Sequence, residues 1–284
     1  MKISVLLSLF EKENPNYFDL SMKSIWNDQI RKPDQIVLVE DGPITPQLDQ
    51  VVNKWKREIG DLLTIVKLKD NQGLAIALNE GSKYCTGDYI ARMDTDDISL
   101  PNRFQVQENY LLEHKNVVLL GGGMIEFNDE EGDLTPRIMP LSLKEIKSAI
   151  CKTNPFVHPS VFISKKIFDK GLKYNSKCRR NQDAEFWFRI IAAGYNVANV
   201  PDIIIKFRKD PFLYKKRKKS AKSEFYIFMK GIYQIYGLFT YRYIFPIVHY
   251  LFRLIPASWS QFIYKRFILK YWQRNTKLDK STCL

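Results

Sequence analysis

Apolar and polar positions alternate along the first hundred residues between two periods. Ile3–Phe10 is a short, β-rich apolar run, whereas Tyr17–Gln29 places Phe18, Met22, Ile25 and Trp26 at helical spacing. Gln35-Ile36-Val37-Leu38-Val39 predicts a second strand, stopped by Glu40-Asp41-Gly42-Pro43. Leu48–Ile59 reads as a helix, Leu62–Leu68 as a third strand and Gly73–Tyr84 as a helix. Tyr89-Ile90-Ala91-Arg92-Met93 then forms a fourth strand that runs into Asp94-Thr95-Asp96-Asp97. Strands separated by helices imply βαβ crossovers, an α/β fold and a mainly parallel sheet. After Pro101 the pattern loosens. Phe104–His114 predicts a helix, Val117–Gly121 a strand and Gly121-Gly122-Gly123 a turn; Met124–Met139 reads as a hairpin around Asp129–Asp133. Leu143–Cys151 is a short helix, Ser160–Ile163 a strand, Asp183–Ala193 an amphipathic helix and Val197–Phe207 a final edge strand.

Charge divides the chain. The net +13 of the 284 residues arises from Lys206 onward, where 18 Lys and Arg face only Asp210, Glu224 and Asp279. That stretch also holds 20 of the 38 aromatic residues. The pattern predicts a nearly neutral globular body, residues 1–210, followed by a basic, aromatic helical extension, residues 211–284. Charge-free runs in the extension reach only about 11 residues, short of the roughly 20 that a spanning helix needs. Interleaved basic and aromatic residues describe helices lying in an anionic bilayer interface, or helices packed on the globular body with a solvated basic face. Lys215-Lys216-Arg217-Lys218-Lys219 comes with no recognition-fold signature, so no nucleic-acid partner is expected. The scattered Cys85, Cys151, Cys178 and Cys283 argue against a disulfide framework or a cysteine zinc site. The apolar N-terminus lacks a small-residue cleavage site and is followed by Glu11-Lys12-Glu13, so a buried strand is expected there and not a signal peptide.

Ligands of open parallel sheets bind at the carboxyl ends of strands, where both Glu40-Asp41 and Asp94–Asp97 fall. Three carboxylates in four residues repel one another unless a cation compensates them, and Mg²⁺ or Mn²⁺ suits oxygen donors. Acidic triplets also cap helices, and Asp96 or Asp97 could cap the helix that follows. Glu40-Asp41-Gly42 could accept a nucleobase N–H or be an ordinary strand-ending turn. Asn71-Gln72-Gly73-Leu74 opens a helix whose free amides suit a phosphate or a capping side chain. Asp183, near a helix start, would sit in positive potential that keeps it ionised and able to accept a proton. Arg179, Arg180 and Arg189 could pair with it or with phosphates, and His158 could contact an acceptor or a pyrophosphate or be structural. No zinc spacing, nucleophile elbow, Walker or dinucleotide glycine pattern is present.

In order, Ile3–Phe10, the run Pro33 to Gly42, the run Asn71 to Gly81, the run Gly87 to Asp97, and Gln182-Asp183 resemble the family 2 glycosyltransferases over roughly residues 1–205. The resemblance implies a GT-A fold and inverting transfer from a UDP-sugar. By position, Asp41 with Glu40 would contact the uracil, and Asp94 the ribose or sugar. Asp96 would bind a metal (Mn²⁺ or Mg²⁺) that bridges the diphosphate, Asp97 would orient the donor sugar, and Asp183 would be the general base; Asn71 joins the nucleotide-sugar set. The first strand departs from the family, ending Ser8-Leu9-Phe10-Glu11 in place of a Thr-Tyr-Asn type element. The whole is similar to bacterial O-antigen and exopolysaccharide transferases. That implies a peripheral enzyme on the cytoplasmic face of the inner membrane, adding glucose or, next, galactose in β-1,3 linkage to N-acetylglucosamine-diphospho-undecaprenol. Competing expectations are a teichoic-acid, capsule or protein-glycan transferase, a non-catalytic scaffold with a transferase fold, and an Mg²⁺-dependent nucleotidyltransferase.

Overall fold

The computed structural model describes residues 1–209 and 213–254; the side chains of Lys215–Lys219 and the expectations made for residues 255–284 lie outside the described residues. Four strands, β1 (Ile3–Leu9), β2 (Gln35–Glu40), β3 (Leu63–Lys67) and β4 (Tyr89–Arg92), pair in parallel in the order β3-β2-β1-β4. Helices α1 (Pro15–Trp26), α2 (Pro46–Ile59) and α3 (Leu74–Ser82) make the crossovers. Each of the first two starts where local chemistry demands it: the Asn14 side chain accepts the Asn16 amide and Thr45 accepts that of Leu48, with a proline in each first turn.

The sheet continues through shorter and longer strands of mixed direction. After the two-residue β5 (Ile98–Ser99) and α4 (Arg103–Glu113) come β6 (Val117–Asn128) and β7 (Gly132–Arg137). Then α5 (Leu143–Ile150), β8 (Phe162–Ser164), α6 (Lys165–Asp169), α7 (Gln182–Ala192) and β9 (Asn196–Arg208) complete the body. Antiparallel β8 sits between β4 and β6, β9 runs parallel to β6, and β5 closes the far side of β9.

Two sequence expectations fail here. Gly121–Gly123 is not a turn but the middle of β6. A Cβ at Gly121 would overlap the Asn199 amide, and one at Gly123 would lie 2.9 Å from the Arg137 carbonyl oxygen. The glycines therefore let neighbouring segments close on the strand. Likewise β9 is not an edge: Ile98 and Ser99 pair with Lys206 and Ile205. Asp96 and Asp97 are spent elsewhere and do not cap α4, whose N-cap is Asn102.

Strand residues of alternate parity enter two separate cores. Val5, Leu7, Ile36, Leu38 and Ala91 pack against Phe18, Met22, Val52, Trp55 and Phe104 of α1, α2 and α4. Leu6, Val37, Val39 and Ile90 pack on the other face against α3, α5 and α7. Arg92, two residues beyond Ile90, therefore belongs to the α3 and α7 side. Helix α8 (Leu213–Tyr236) joins this second core through Ile227, Phe228 and Ile232, and α9 (Ile244–Leu254) follows it.

Gly231 is the contact that seats α8, since any Cβ there would overlap the Phe188 ring of α7. Gly231→Ala gains about 1 kcal/mol of helix propensity and forces overpacking that costs about 1–3 kcal/mol. The expected result is a fall of a few degrees in melting temperature. A rise would show that α8 is not held against α7.

Candidate active site

The site is built where β4 ends. The chain leaves β4 at Arg92 and turns through Asp94-Thr95-Asp96-Asp97 into β5, and three contacts fix this turn. Ser21 Oγ of α1 donates to the Asp94 carbonyl at 2.8 Å, and the Arg208 amide donates to Asp97 Oδ1 at 2.7 Å. Arg208 Nε donates to the Asp96 carbonyl at 2.9 Å. Arg208 is itself held between the Tyr17 and Phe127 rings and pairs with Asp129. The last residue of β9 thus staples the acidic turn to the sheet.

One carboxylate oxygen from each of Asp94, Asp96 and Asp97 lies within 4.8 Å of the others. Asp97 is 1 % exposed, and its Oδ2 has no hydrogen-bond partner. Beneath them lies Arg92, buried, with Nη2 paired to Asp94 Oδ1 and with Nε and Nη1 unpartnered. Burial, then the Asp94 charge, pushes the Asp96 carboxyl up to about 6. Burial and the charges of Asp94 and Asp96 hold Asp97 well above the usual carboxylate range.

Asp183 lies 86 residues beyond Asp97 along the chain. It lies in the first turn of α7 on the Arg92 side of the sheet, and its Oδ2 accepts from Asn154 Nδ2 at 2.6 Å. The Arg92 guanidinium acts on its charge as it does on those of Asp96 and Asp97. The expectation that the helix start would dominate is corrected here. Burial raises the Asp183 carboxyl, and the Ala184 amide, the Asn154 side chain and Arg92 only partly offset it.

The profile of Glycosyl transferase family 2 matches residues 5–172. The chain belongs to that family. A relative in Erwinia amylovora, the amylovoran biosynthesis glycosyltransferase AmsE, is 36% identical over 266 residues, spanning 93% of this chain and 98% of that protein. An Escherichia coli protein named UDP-Gal:alpha-D-GlcNAc-diphosphoundecaprenol beta-1,3-galactosyltransferase is 29% identical across 95% of this chain and 98% of its own length. Among solved structures, residues 1–349 of Staphylococcus aureus TarS superpose with a TM-score of 0.62 at 16% identity, covering 99% of this chain and 77% of that one. The mannosyltransferase PcManGT of Pyrobaculum calidifontis, solved with GDP-Man and Mn²⁺, gives 0.63 at 15% identity, with 91% and 71% covered. The fold is GT-A, and the protein is a glycosyltransferase.

In this glycosyltransferase the other sequence candidates take definite places. Asp41 is buried and its two oxygens accept the amides of Gln72 (2.7 Å) and Gly73 (2.9 Å), which precede α3, while the first turn of α3 has no side-chain cap. Gly42, at φ +88°, lets the two loops close, because a Cβ there would lie 2.6 Å from the Asn71 nitrogen. Asn71 itself is exposed at this junction. Glu40 pairs with Lys67 through Oε2 at 3.1 Å, while its buried Oε1 has no partner. His158 bonds the Tyr174 hydroxyl through Nε2 at 2.9 Å beside Trp187, and burial and then Arg92 hold its pKa well below the usual range. Arg179 and Arg180 are exposed on the segment before α7. Arg189 turns away from Asp183 to grip Glu185 (2.8 Å) and the Lys173 carbonyl (2.6 Å).

Two residues of the transferase site escaped sequence reading. Arg92 looked like one more strand residue. Glu13 looked like the polar end of an apolar run, yet burial and the charges of Asp96 and Asp94 push it up to about 7, with a hydrogen bond to Thr95 opposing. Its position just past the carboxyl end of β1 was the available signal.

An all-oxygen donor set of three clustered carboxylates, one with an orphaned buried oxygen, fits a hard divalent cation. The raised values of Glu13 and Asp96 give this a pH signature. Their ordinary values are 4.5 and 3.8, so the neutral forms stabilise the metal-free fold fully below about pH 4. That contribution is lost as pH rises through about 6 to 7. In chelator, the melting temperature should fall between pH 5 and 7.5, and Mg²⁺ should raise it more at pH 7.5 than at pH 5. An equal or reversed Mg²⁺ response would contradict a metal site built on these carboxyls.

Proposed function

We propose that this transferase moves a hexose from a UDP-sugar, with inversion, to a sugar carried on a polyprenyl diphosphate, forming a β linkage in a bacterial surface polysaccharide. One observation carries the reading: three carboxylates cluster at the end of β4, and the charge of one buried guanidinium, Arg92, acts on Asp96, on Asp97 and on Asp183 from the other half of the chain. The name of the Escherichia coli relative supports the UDP-sugar donor, the lipid-diphosphate acceptor and a β-1,3 linkage. TarS solved with UDP and with UDP-GlcNAc supports the nucleotide. Between glucose and galactose the relative's named donor favours galactose, and no residue here separates the two.

Asp96, with Asp94 and Asp97, would hold Mn²⁺ or Mg²⁺, which when bound supplies positive charge against the leaving diphosphate. Asp41 with Glu40 and Asn71 would border the nucleotide, and Asp97 the donor sugar. Asp183 takes the proton of the acceptor hydroxyl as that oxygen bonds to the anomeric carbon and the bond to UDP breaks. Attack from the face opposite UDP turns an α-linked donor into a β-glycoside.

The same reading places the enzyme peripherally on the cytoplasmic leaflet. Ile244, Ile247, Val248 and Leu251 recur at helical spacing on α9 and are exposed, next to Phe239, which is 96% exposed. Among the described residues no helix is long and apolar enough to cross a membrane. An apolar face on the basic part of the chain suits an anionic bilayer surface that also holds the acceptor.

Purified enzyme, Mn²⁺, a panel of UDP-sugars and a synthetic sugar-diphospholipid, followed by linkage analysis, test the assignment. Binding of UDP without turnover on any acceptor would favour the scaffold reading. Asp183→Asn should lower kcat by about 10²–10⁴-fold while UDP affinity stays near wild type; full turnover would remove Asp183 from the base role. Phe239→Asp with Val248→Asp should release the protein from anionic vesicles in a flotation assay, and unchanged flotation would refute the α9 surface.

A further inference from the structure

The Asp183 carboxylate is held by a neighbour, Asn154. Asn154 begins the Asn154-Pro155-Phe156 turn, and its Oδ1 accepts the Phe156 amide at 3.2 Å. An N–H needs an oxygen, so this contact assigns the side-chain amide: Oδ1 faces Phe156 and Nδ2 must face outward. Nδ2 meets Asp183 Oδ2 at 2.6 Å. The turn cannot swing away, because Phe156 packs edge-on against Trp187, one helical turn beyond Asp183, with ring centroids 5.6 Å apart. From the other side Asn199 Nδ2 of β9 donates to the Pro155 carbonyl at 3.1 Å.

We propose that Asn154 is a positioning residue for Asp183: its side-chain N–H holds Oδ2 and so fixes the orientation in which the carboxylate meets the acceptor hydroxyl. The proposal rests on the reading of Asp183 as the base. The groups facing this carboxylate are the α7 amides, Asn154 and Arg92, with the Tyr174 hydroxyl nearby. Only Asn154 can be exchanged for a near-isostere that keeps the turn. Asn154→Asp retains an oxygen for the Phe156 amide but replaces the donor with a second carboxyl, and two carboxyls this close share a proton.

The test is the pH profile of kcat for the full-length enzyme with UDP-sugar and lipid-diphosphate acceptor. For Asn154→Asp the acid limb should move up by about 1 unit or more, with kcat about 10–100-fold lower at pH 7 and recovering at higher pH. UDP affinity should stay near wild type, and the variant should remain folded. Asn154→Ser, which keeps a turn acceptor but is too short to reach Asp183, should shift the limb in the same direction by less, and it serves if the aspartate variant fails to fold. Wild-type pH profiles in the folded variants, or a loss confined to stability, would overturn the proposal. Asp183→Asn run alongside separates the two ideas. Retained turnover there defeats the base reading itself, whereas its loss with unshifted Asn154 variants defeats only the positioning role.

Discussion

The structure turns on one electrostatic constraint: a buried guanidinium, Arg92, beneath the carboxylates of Asp94, Asp96 and Asp97, with Glu13 also in their field. Burying like charges together is costly, because desolvation and mutual repulsion both favour protonation. One arginine cannot neutralise such a cluster, and the raised carboxyls of Glu13, Asp96 and Asp97 record the shortfall. A fold carries such a deficit where a cationic ligand is meant to remove it. Much of the surrounding architecture holds this cluster in place: the Ser21 hydroxyl from α1, the Arg208 amide from β9, and the short β5–β9 pairing that anchors the turn.

On the proposed reading, the two halves of the reaction are supplied by different parts of the sheet. The parallel strands β1 to β4 would present the nucleotide side, where Asp41 ties the end of β2 to the start of α3. The mixed strands β8, β6 and β9 carry the segments that orient α7 and with it Asp183. Between them lies the change of strand direction at β4 and β8, a place where open α/β sheets leave room for ligands. On that reading Asp183 would act on an acceptor while the acidic turn acts on a donor, which is the division of labour an in-line displacement needs.

Much of this was readable in the sequence. The apolar run Tyr89–Met93 running into Asp94–Asp97 marked a strand that ends in an acidic turn, and the helix headed by Asp183 was legible from its amphipathic pattern. What escaped was decided by tertiary neighbours. The direction in which Asp183 titrates depends on burial, which the helix start alone does not reveal. Gly121–Gly123 looked like a turn because glycine signals both turns and crowding, and only the approach of Asn199, Ile204 and Arg137 tells them apart. Arg189 was a candidate phosphate ligand until Glu185, one turn earlier on the same helix, claimed it. Arg92 and Glu13 gain their meaning only from the charges folded around them.

On the proposed reading the acidic turn binds a nucleotide diphosphate through a divalent ion. Calorimetric titration of UDP into the full chain, with Mn²⁺ present and with it removed by chelation, measures this. Without the ion the affinity should be at least about tenfold weaker, a change of about 1.4 kcal/mol, and Asp96→Ala in Mn²⁺ should behave like the chelated wild type. Equal affinity with and without the ion would contradict it.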